Sequence, residues 1–426
     1  VPLDAEHPLF LMYTSGTTGK PKGCQHRTGG YLAYTAGTSK YIQDIHPEDV
    51  YWCMADIGWI TGHSYIVYGP LAVAASVVLY EGTPTWPDAG RPWRIAERLD
   101  VNIFHTSPTA IRMLRKAGAD EPAKYRYRFK HMTTVGEPIE PEVWRWYYEV
   151  VGKGKAVIVD TWWQTETGGF LCSTKPALDL MKPGSAGPGM PGIYPVILDE
   201  NAKEMSPGTG RAGNICIKNP WPGIMQTIWG DDERFARQYY GKYCKDKSSK
   251  RWQDWPYFAG DGALHAADGY FRILGRVDDV INVAGHRLGT KELESACLTV
   301  EEVAEAAVVP VADEVKGRVP EIYVSLKPGY AATKEITDKI ITTIELMIGK
   351  IARPRAVHIV ADMPKTRSGK IMRRVLAAIS NTLDTGDITT LANPDVVEQI
   401  RQSVQGKEKV ATKEGPEDLK LFGKEE

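Results

Sequence analysis

The chain has 426 residues, 42% of them apolar and 25% charged, with a net charge of −1. These values are ordinary for a soluble globular protein with material for two or three domains, and they leave no global positive field to gather nucleic acid or an anionic membrane. The longest mostly apolar run, residues 71–80, is too short to cross a bilayer. Six cysteines (Cys24, Cys53, Cys172, Cys216, Cys244, Cys297) are scattered without a CxxC pair. Their spacing favours free thiols in a reducing compartment over a disulfide frame or a zinc site.

Residues 10–13 read as a strand that runs into Tyr-Thr-Ser-Gly-Thr-Thr-Gly-Lys-Pro-Lys-Gly at 13–23. Glycines let backbone N–H groups approach an anion, hydroxyls add donors, and Lys20 and Lys22 add charge. The run reads as a phosphate cradle, and it lacks the glycine-lysine-hydroxyl spacing of the common P-loop. Short β-type runs follow at 77–80, 101–105, 132–135 and 156–159, each ending in turn or polar residues. That pattern predicts an α/β sheet with functional groups on its loops. From 182 to 229, glycine, proline and short strands at 196–199 and 214–217 predict a small β-rich subdomain. A smaller α+β unit is predicted from 279 to 380. It has a strand at 303–311, a helix capped by Thr333 with Ile336, Ile340, Ile344 and Ile348 on one face, a strand at 356–360, and a helix at 370–380. Residues 381–426 read as a tail, expected to be disordered from Lys407 onward.

The cradle resembles the phosphate-binding signature of the AMP-forming acyl-adenylate enzymes. Other motifs of that family stand in its order: Gly-Glu-Pro at 136–138, DTWWQTETGG at 160–169, Gly260-Asp261, GRVDDVINVAGHRLGT at 275–290, and PKTRSGKIMRR at 364–374. Within the family the resemblance is strongest to the acetyl-CoA synthetases. It implies an acyl-adenylate fold: a large α/β domain at 1–278 with a β-rich subdomain, and a mobile α+β domain at 279–380. It also implies a chain that is the C-terminal part of a longer protein, lacking strands and basic residues near the CoA phosphates. The implied activity is acetate–CoA ligation through acetyl-AMP in the cytoplasm. ATP and CoA are substrates and Mg²⁺ is the cofactor, with neither nucleic acid nor membrane as partner. A propionate or other short-acid ligase, an amino-acid-adenylating domain and a non-catalytic nucleotide-binding fragment are the alternatives.

The same resemblance assigns roles. Thr14, Ser15, Gly16, Thr17, Thr18, Gly19 and Lys20 would cradle the β- and γ-phosphates. Gly136, Glu137 and Pro138 would lie along adenine. In the segment Asp160, Thr161, Trp162, Trp163, Gln164, Thr165, the threonine Thr165 would donate to the α-phosphate, and Glu166 would hold Mg²⁺. A single carboxylate suffices when substrate phosphates complete the shell. Asp261 and Arg276 would bind ribose, and Arg287 phosphate. Lys370 would bridge carboxylate and phosphate in the transition state, and it is also a candidate for acetylation by a protein acetyltransferase. Trp59, Ile60, Thr61, Val135 and Trp163 would enclose the acyl group, with the Trp163 indole restricting it to acetate or, at a cost of about 1–3 kcal/mol, propionate. No acidic residue stands among them to hold an amino group. Thr61, Thr85, Ala284 and Gly285 would face CoA, and Asp278 would be the hinge between two poses of the small domain. Ala284 and Glu345 depart from the serine and arginine common in acetyl-CoA synthetases, and Val300 from a cation-binding histidine.

Overall fold

Pairing of the segments flanking the cradle creates the first element. Strand β1 (Pro8–Gly16) and strand β2 (Gly19–Arg27) form an antiparallel hairpin in which Thr14 opposes Lys22 and Gly16 opposes Gly19. The cradle is therefore the tip of a ribbon, not a loop leaving a four-residue strand. The computed structural model describes residues 2–16, 19–277, 280–283, 286–314, 316–366, 369–389 and 391–411. Thr17 and Thr18 at the turn lie outside them.

The short apolar runs form a six-stranded sheet of β3 (Val50–Cys53), β4 (Ser76–Val77), β5 (Ile103–Thr106), β6 (His131–Thr134), β7 (Val157–Trp162) and β8 (Cys172–Ser173), in the order β4-β3-β5-β6-β7-β8. All neighbours are parallel except β7 and β8. Parallel strands bury both faces, so they read as continuous apolar runs. Phe104, Met132 and Ile158 pack on one side with Trp52, Trp93 and Tyr147. Val159 packs in another cluster with Tyr65, Trp163 and Phe170. Thr106 and Thr134 end β5 and β6 and are successive register partners with Asp160 of β7, near the carboxyl ends of the strands, where α/β sheets place ligand sites.

Strand β9 (Pro195–Leu198) and β10 (Gly213–Ile217) confirm the β-rich stretch. Strand β11 (Thr227–Ile228) joins β2, and β12 (Tyr257–His265) and β13 (Phe271–Arg276) complete an antiparallel sheet in the order β13-β12-β10-β9.

The chain divides into two compact units, Val1–Val280 and Ile281–Glu426. The second holds a sheet of β14 (Val280–Val283), β15 (His286–Gly289), β16 (Val303–Asp313), β17 (Gly317–Leu326) and β18 (Val357–Ile359), with β18 parallel to β17. Thr333 caps the helix Lys334–Met347, its hydroxyl accepting from the Ile336 N–H, and Ile336, Ile340 and Ile344 are buried. Alternation along β16 and β17 divides the core. Val308, Ile322 and Val324 pack with that helix, while Val309, Val311 and Tyr323 pack with the helix Arg373–Ser380. The predicted tail needs correction. Residues 395–411 form a helix whose Val397, Ile400 and Val404 are buried in the same cluster as Val375 and Ile379. Their i, i+3, i+7 spacing is a helical core face. Residues 412–426 lie outside the described residues.

All six cysteines are free. Five are buried and Cys244 is half-buried. Among the described residues no helix is long and apolar enough to cross a membrane.

Candidate active site

Side chains alternate along a strand, so Lys22, Cys24 and His26 share one face of β2. Lys22 and His26 both grip the segment after β7. The Lys22 Nζ lies 2.6 Å from the Glu166 Oε1, and the Tyr239 hydroxyl donates to the same oxygen at 2.6 Å. Burial opposes ionisation of Glu166, but the Lys22 ammonium and the Tyr239 hydroxyl outweigh it and hold the carboxyl below its usual range. The His26 Nε2 lies 2.8 Å from the Thr165 carbonyl. A carbonyl only accepts, so Nε2 carries the proton. Burial lowers the His26 pKa to about 4, keeping the ring neutral. The phosphate hairpin is thus fixed to Thr165 and Glu166 by a side chain at each of two alternate positions.

Asp261 is the centre of a second group. Its Oδ2 accepts from the Trp162 Nε1 at 3.0 Å and the Gln164 Nε2 at 2.8 Å. The Gln164 amide also donates to the Ala259 carbonyl at 2.7 Å and accepts from the Tyr257 hydroxyl at 2.8 Å. Arg276 is the register partner of Asp261 across β12 and β13, with its Nη1 at 3.9 Å from Oδ1. Gly260 has φ +74°, and a side chain there would press on the Arg276 guanidinium at about 3.0 Å. Four of the sequence-predicted residues, Trp162, Gln164, Asp261 and Arg276, therefore meet at one carboxylate.

Asp160 lies within β7, its Oδ1 accepting from the Thr134 hydroxyl and from the Thr161 N–H. Burial raises its pKa to about 7 despite those two donors. Thr161 turns its hydroxyl to the Thr134 carbonyl at 2.6 Å. The Gly-Glu-Pro segment follows β6, with Gly136 at φ +97°. Glu137 is held there by Arg112, whose guanidinium also reaches Glu140, at 2.8 and 2.9 Å. This buried arginine on the helix Pro108–Ala117 belongs to none of the predicted motifs, and neither do Tyr239, Thr134 and His26. The one sequence signal was the period-two spacing of Lys22, Cys24 and His26. Lys22 read only as charge added to the cradle run, and its ammonium pairs with Glu166.

Among the acyl-pocket residues, Val135 and Trp163 are buried in one cluster and Ile60 packs against it. Trp163 meets Tyr65 and Phe170 edge-on, and its buried Nε1 has no hydrogen-bond partner among the described residues. Trp59 is 49% exposed and takes no part in that cluster. Thr61 and Thr85 are half-buried. In the second unit Lys370 is exposed, Arg287 falls in β15, and Glu345 pairs with Arg353 at 2.6 Å. Asp278, Ala284 and Gly285 lie outside the described residues.

Among the described residues no group of three or more His, Cys, Asp or Glu is placed to hold a metal. Glu166 already gives its Oε1 to Lys22 and Tyr239, so a Mg²⁺ held there would draw its remaining ligands from phosphate oxygens and water.

Residues 1–229 match the family described as AMP-binding enzyme, and residues 292–370 match the AMP-binding enzyme C-terminal domain. Acetyl-coenzyme A synthetases are among the similar proteins. That of Gemmatimonas aurantiaca is 49% identical over 95% of this chain and 61% of its own length. Those of Parvibaculum lavamentivorans and Wolinella succinogenes are 48% identical over 95% and 94% of this chain and 61% of theirs. The chain thus spans about three-fifths of the length of these relatives. A solved anthranilate CoA ligase with bound anthranoyl-AMP superposes with a TM-score of 0.77, at 23% identity, over 89% of this chain and 68% of that one. The likeness shows the fold of the adenylate-forming enzymes.

Proposed function

The chain belongs to the AMP-binding enzymes, and from that premise we propose that it carries out acetate–CoA ligation in two half-reactions. Acetate attacks the α-phosphorus of ATP, giving acetyl-AMP and diphosphate. The CoA thiol then takes the acetyl group and AMP leaves. Such catalysis is mostly positioning and charge stabilisation. The observation that carries the reading is the Asp261 carboxylate, held by Trp162 and Gln164, four and two residues before Glu166 in the same segment. It offers a fixed two-oxygen acceptor for vicinal ribose hydroxyls, with phosphate-directed groups a few residues along.

In this reading the Thr14–Lys20 hairpin tip receives the β- and γ-phosphates and Thr165 donates to the α-phosphate. Glu166 would hold a Mg²⁺, which when bound would neutralise charge on the phosphates. Arg276 and Arg287 contact ribose and phosphate, and the Gly136–Pro138 turn lies along adenine. Lys370 supplies the cation that draws the acetate carboxylate onto phosphorus. Val135 and Trp163 set acyl length, supported by their burial in one cluster. Thr61 and Thr85 are assigned to the CoA side, and Ala284, Gly285 and the hinge Asp278 to the second half-reaction.

Acetate-dependent pyrophosphate exchange tests this directly. The chain should catalyse it, and Lys370→Ala should abolish it while leaving thioester formation from supplied acetyl-AMP largely intact. Equal loss of both half-reactions would assign Lys370 to folding. Nucleotide binding without exchange would leave only a nucleotide-binding module.

A further inference from the structure

The family match in the second unit ends at Lys370, yet residues beyond it hold the loop that carries this lysine. The loop closes on itself. The Met372 N–H donates to the Pro364 carbonyl at 2.8 Å, the Thr366 N–H to the Lys370 carbonyl at 2.9 Å, and the Gly369 N–H to the Thr366 carbonyl at 2.8 Å. Lys365 and Ile371 form a bridge across it. A closed loop fixes its own shape but not its place on the domain. Two attachments do that. Lys365 sends its ammonium to Glu305 on β16 and to Asp362, each at 2.8 Å. The second is the strip at 391–393. The Ala392 N–H donates to the Lys365 carbonyl at 2.8 Å, Leu391 bridges Thr366, and the Asn393 Oδ1 accepts from the Lys365 N–H at 2.9 Å. The Asn393 amide nitrogen donates to the Met363 carbonyl at 2.8 Å and to Asp362 at 3.1 Å.

The strip is itself anchored. Leu391 is buried in the cluster that contains Val397, Ile400 and Val404 of the terminal helix, together with Ile371 at the end of the loop. The path runs from the helix core, through Leu391 and Asn393, to both backbone groups of Lys365, five residues before the lysine.

We propose that Asn393 is a positioning residue for Lys370: with the 391–393 strip it holds the lysine loop in register on its domain, so that the terminal helix contributes to adenylate formation. The proposal rests on the reading of Lys370 as the adenylation lysine. Asn393 reaches neither nucleotide nor acetate in this account. It acts through the Lys365 and Met363 backbone, and its removal should misplace the lysine without unfolding a half-buried site. Misplacement of a reacting group by about 1 Å costs up to about a hundredfold in rate.

The test uses the full chain with Asn393→Ala and Asn393→Asp. The first removes all three contacts. The second keeps an acceptor for the Lys365 N–H but loses the donation to Met363 and sets a like charge beside Asp362. Two readouts are needed. Amide hydrogen exchange at Lys365 and Met372 reports the anchor, whatever the chain catalyses. In Asn393→Ala both amides should exchange about tenfold faster or more, while β16 amides are unchanged. Pyrophosphate exchange with acetate should fall about tenfold or more at unchanged KM for ATP, thioester formation from supplied acetyl-AMP should stay within about twofold, and Asn393→Asp should fall between. Unchanged loop exchange in Asn393→Ala overturns the anchor. Equal losses in both half-reactions overturn the positioning role. A wild-type chain inactive in pyrophosphate exchange overturns the functional reading instead, while the hydrogen-exchange arm still decides the anchor.

Discussion

Arg112 shows how much a side chain outside every motif can matter. Its buried guanidinium neutralises Glu137 and Glu140 together. Arg112→Ala removes the guanidinium that these two carboxylates share, and breaking a buried pair from one side costs about 3–5 kcal/mol. Urea denaturation of the variant should show a loss of that order, and adenine-nucleotide affinity should fall with it because Glu137 sits in the turn assigned to adenine. Unchanged stability would mean that water reaches the cluster. Trp163→Gly opens space beside Val135, Tyr65 and Phe170. Butyrate and hexanoate turnover relative to acetate should rise, by about 0.8 kcal/mol of binding per methylene buried, with a few kcal/mol lost in stability. No shift in acid preference would make Trp163 a core residue only. Asp160 gives a pH signature. Its folded pKa of about 7 stands above the ordinary 3.8, so the folded chain holds a proton that the unfolded chain has released between those values. Its contribution to stability is present below about 4 and lost as pH rises through 7. Asp160→Asn should therefore gain on wild type between pH 5 and pH 8 by on the order of 1–3 kcal/mol in urea melts. A constant difference across that range would show that Asp160 does not titrate there.

At the scale of elements, legibility followed periodicity. The helix after Thr333 was readable because its isoleucines repeat at four-residue spacing and a hydroxyl stands at the cap. Thr333→Ala should cost about 1 kcal/mol, measured as a fall in the thermal midpoint of the second unit. The parallel strands were readable as apolar runs, and their ends as the place for polar chemistry. The hairpin at the cradle was not, because glycine and threonine runs look like loops until β2 supplies the pairing that Gly16 and Gly19 permit. The terminal helix was hidden by its charged neighbours. Among the described residues Val397, Ile400 and Val404 mark its buried face, with Val396 packed beside them. The links between elements were the least visible. Lys22 to Glu166, and Gln164 to Asp261, join residues 144 and 97 positions apart, and no local pattern encodes a partner at that distance.

At the scale of the whole molecule, the residues proposed to bind the nucleotide, Trp162, Gln164, Glu166, Asp261 and Arg276, belong to Val1–Val280, and Lys370 to Ile281–Glu426. ATP should therefore stabilise the first unit. At a hundred times the dissociation constant the gain is about 2.7 kcal/mol, seen as slower hydrogen exchange in β7 and β12 than in β16 and β17. Equal protection of both units would mean that the nucleotide reports on the chain as one body. Composition gave material for two or three domains, and the chain divides into two compact units; assigning roles to them needed the motifs.

The free thiols carry a practical consequence. Burial pushes Cys24 and Cys53 up to about 12 and raises Cys172, Cys216 and Cys297 as well. The thiolate is the reactive form, so these five are chemically silent while the fold persists. Cys244 alone is half-buried. A maleimide dye should thus add once to the native chain and six times after denaturation, giving one addressable position for a fluorophore without removing a single cysteine, and a mass shift that counts opened cores directly.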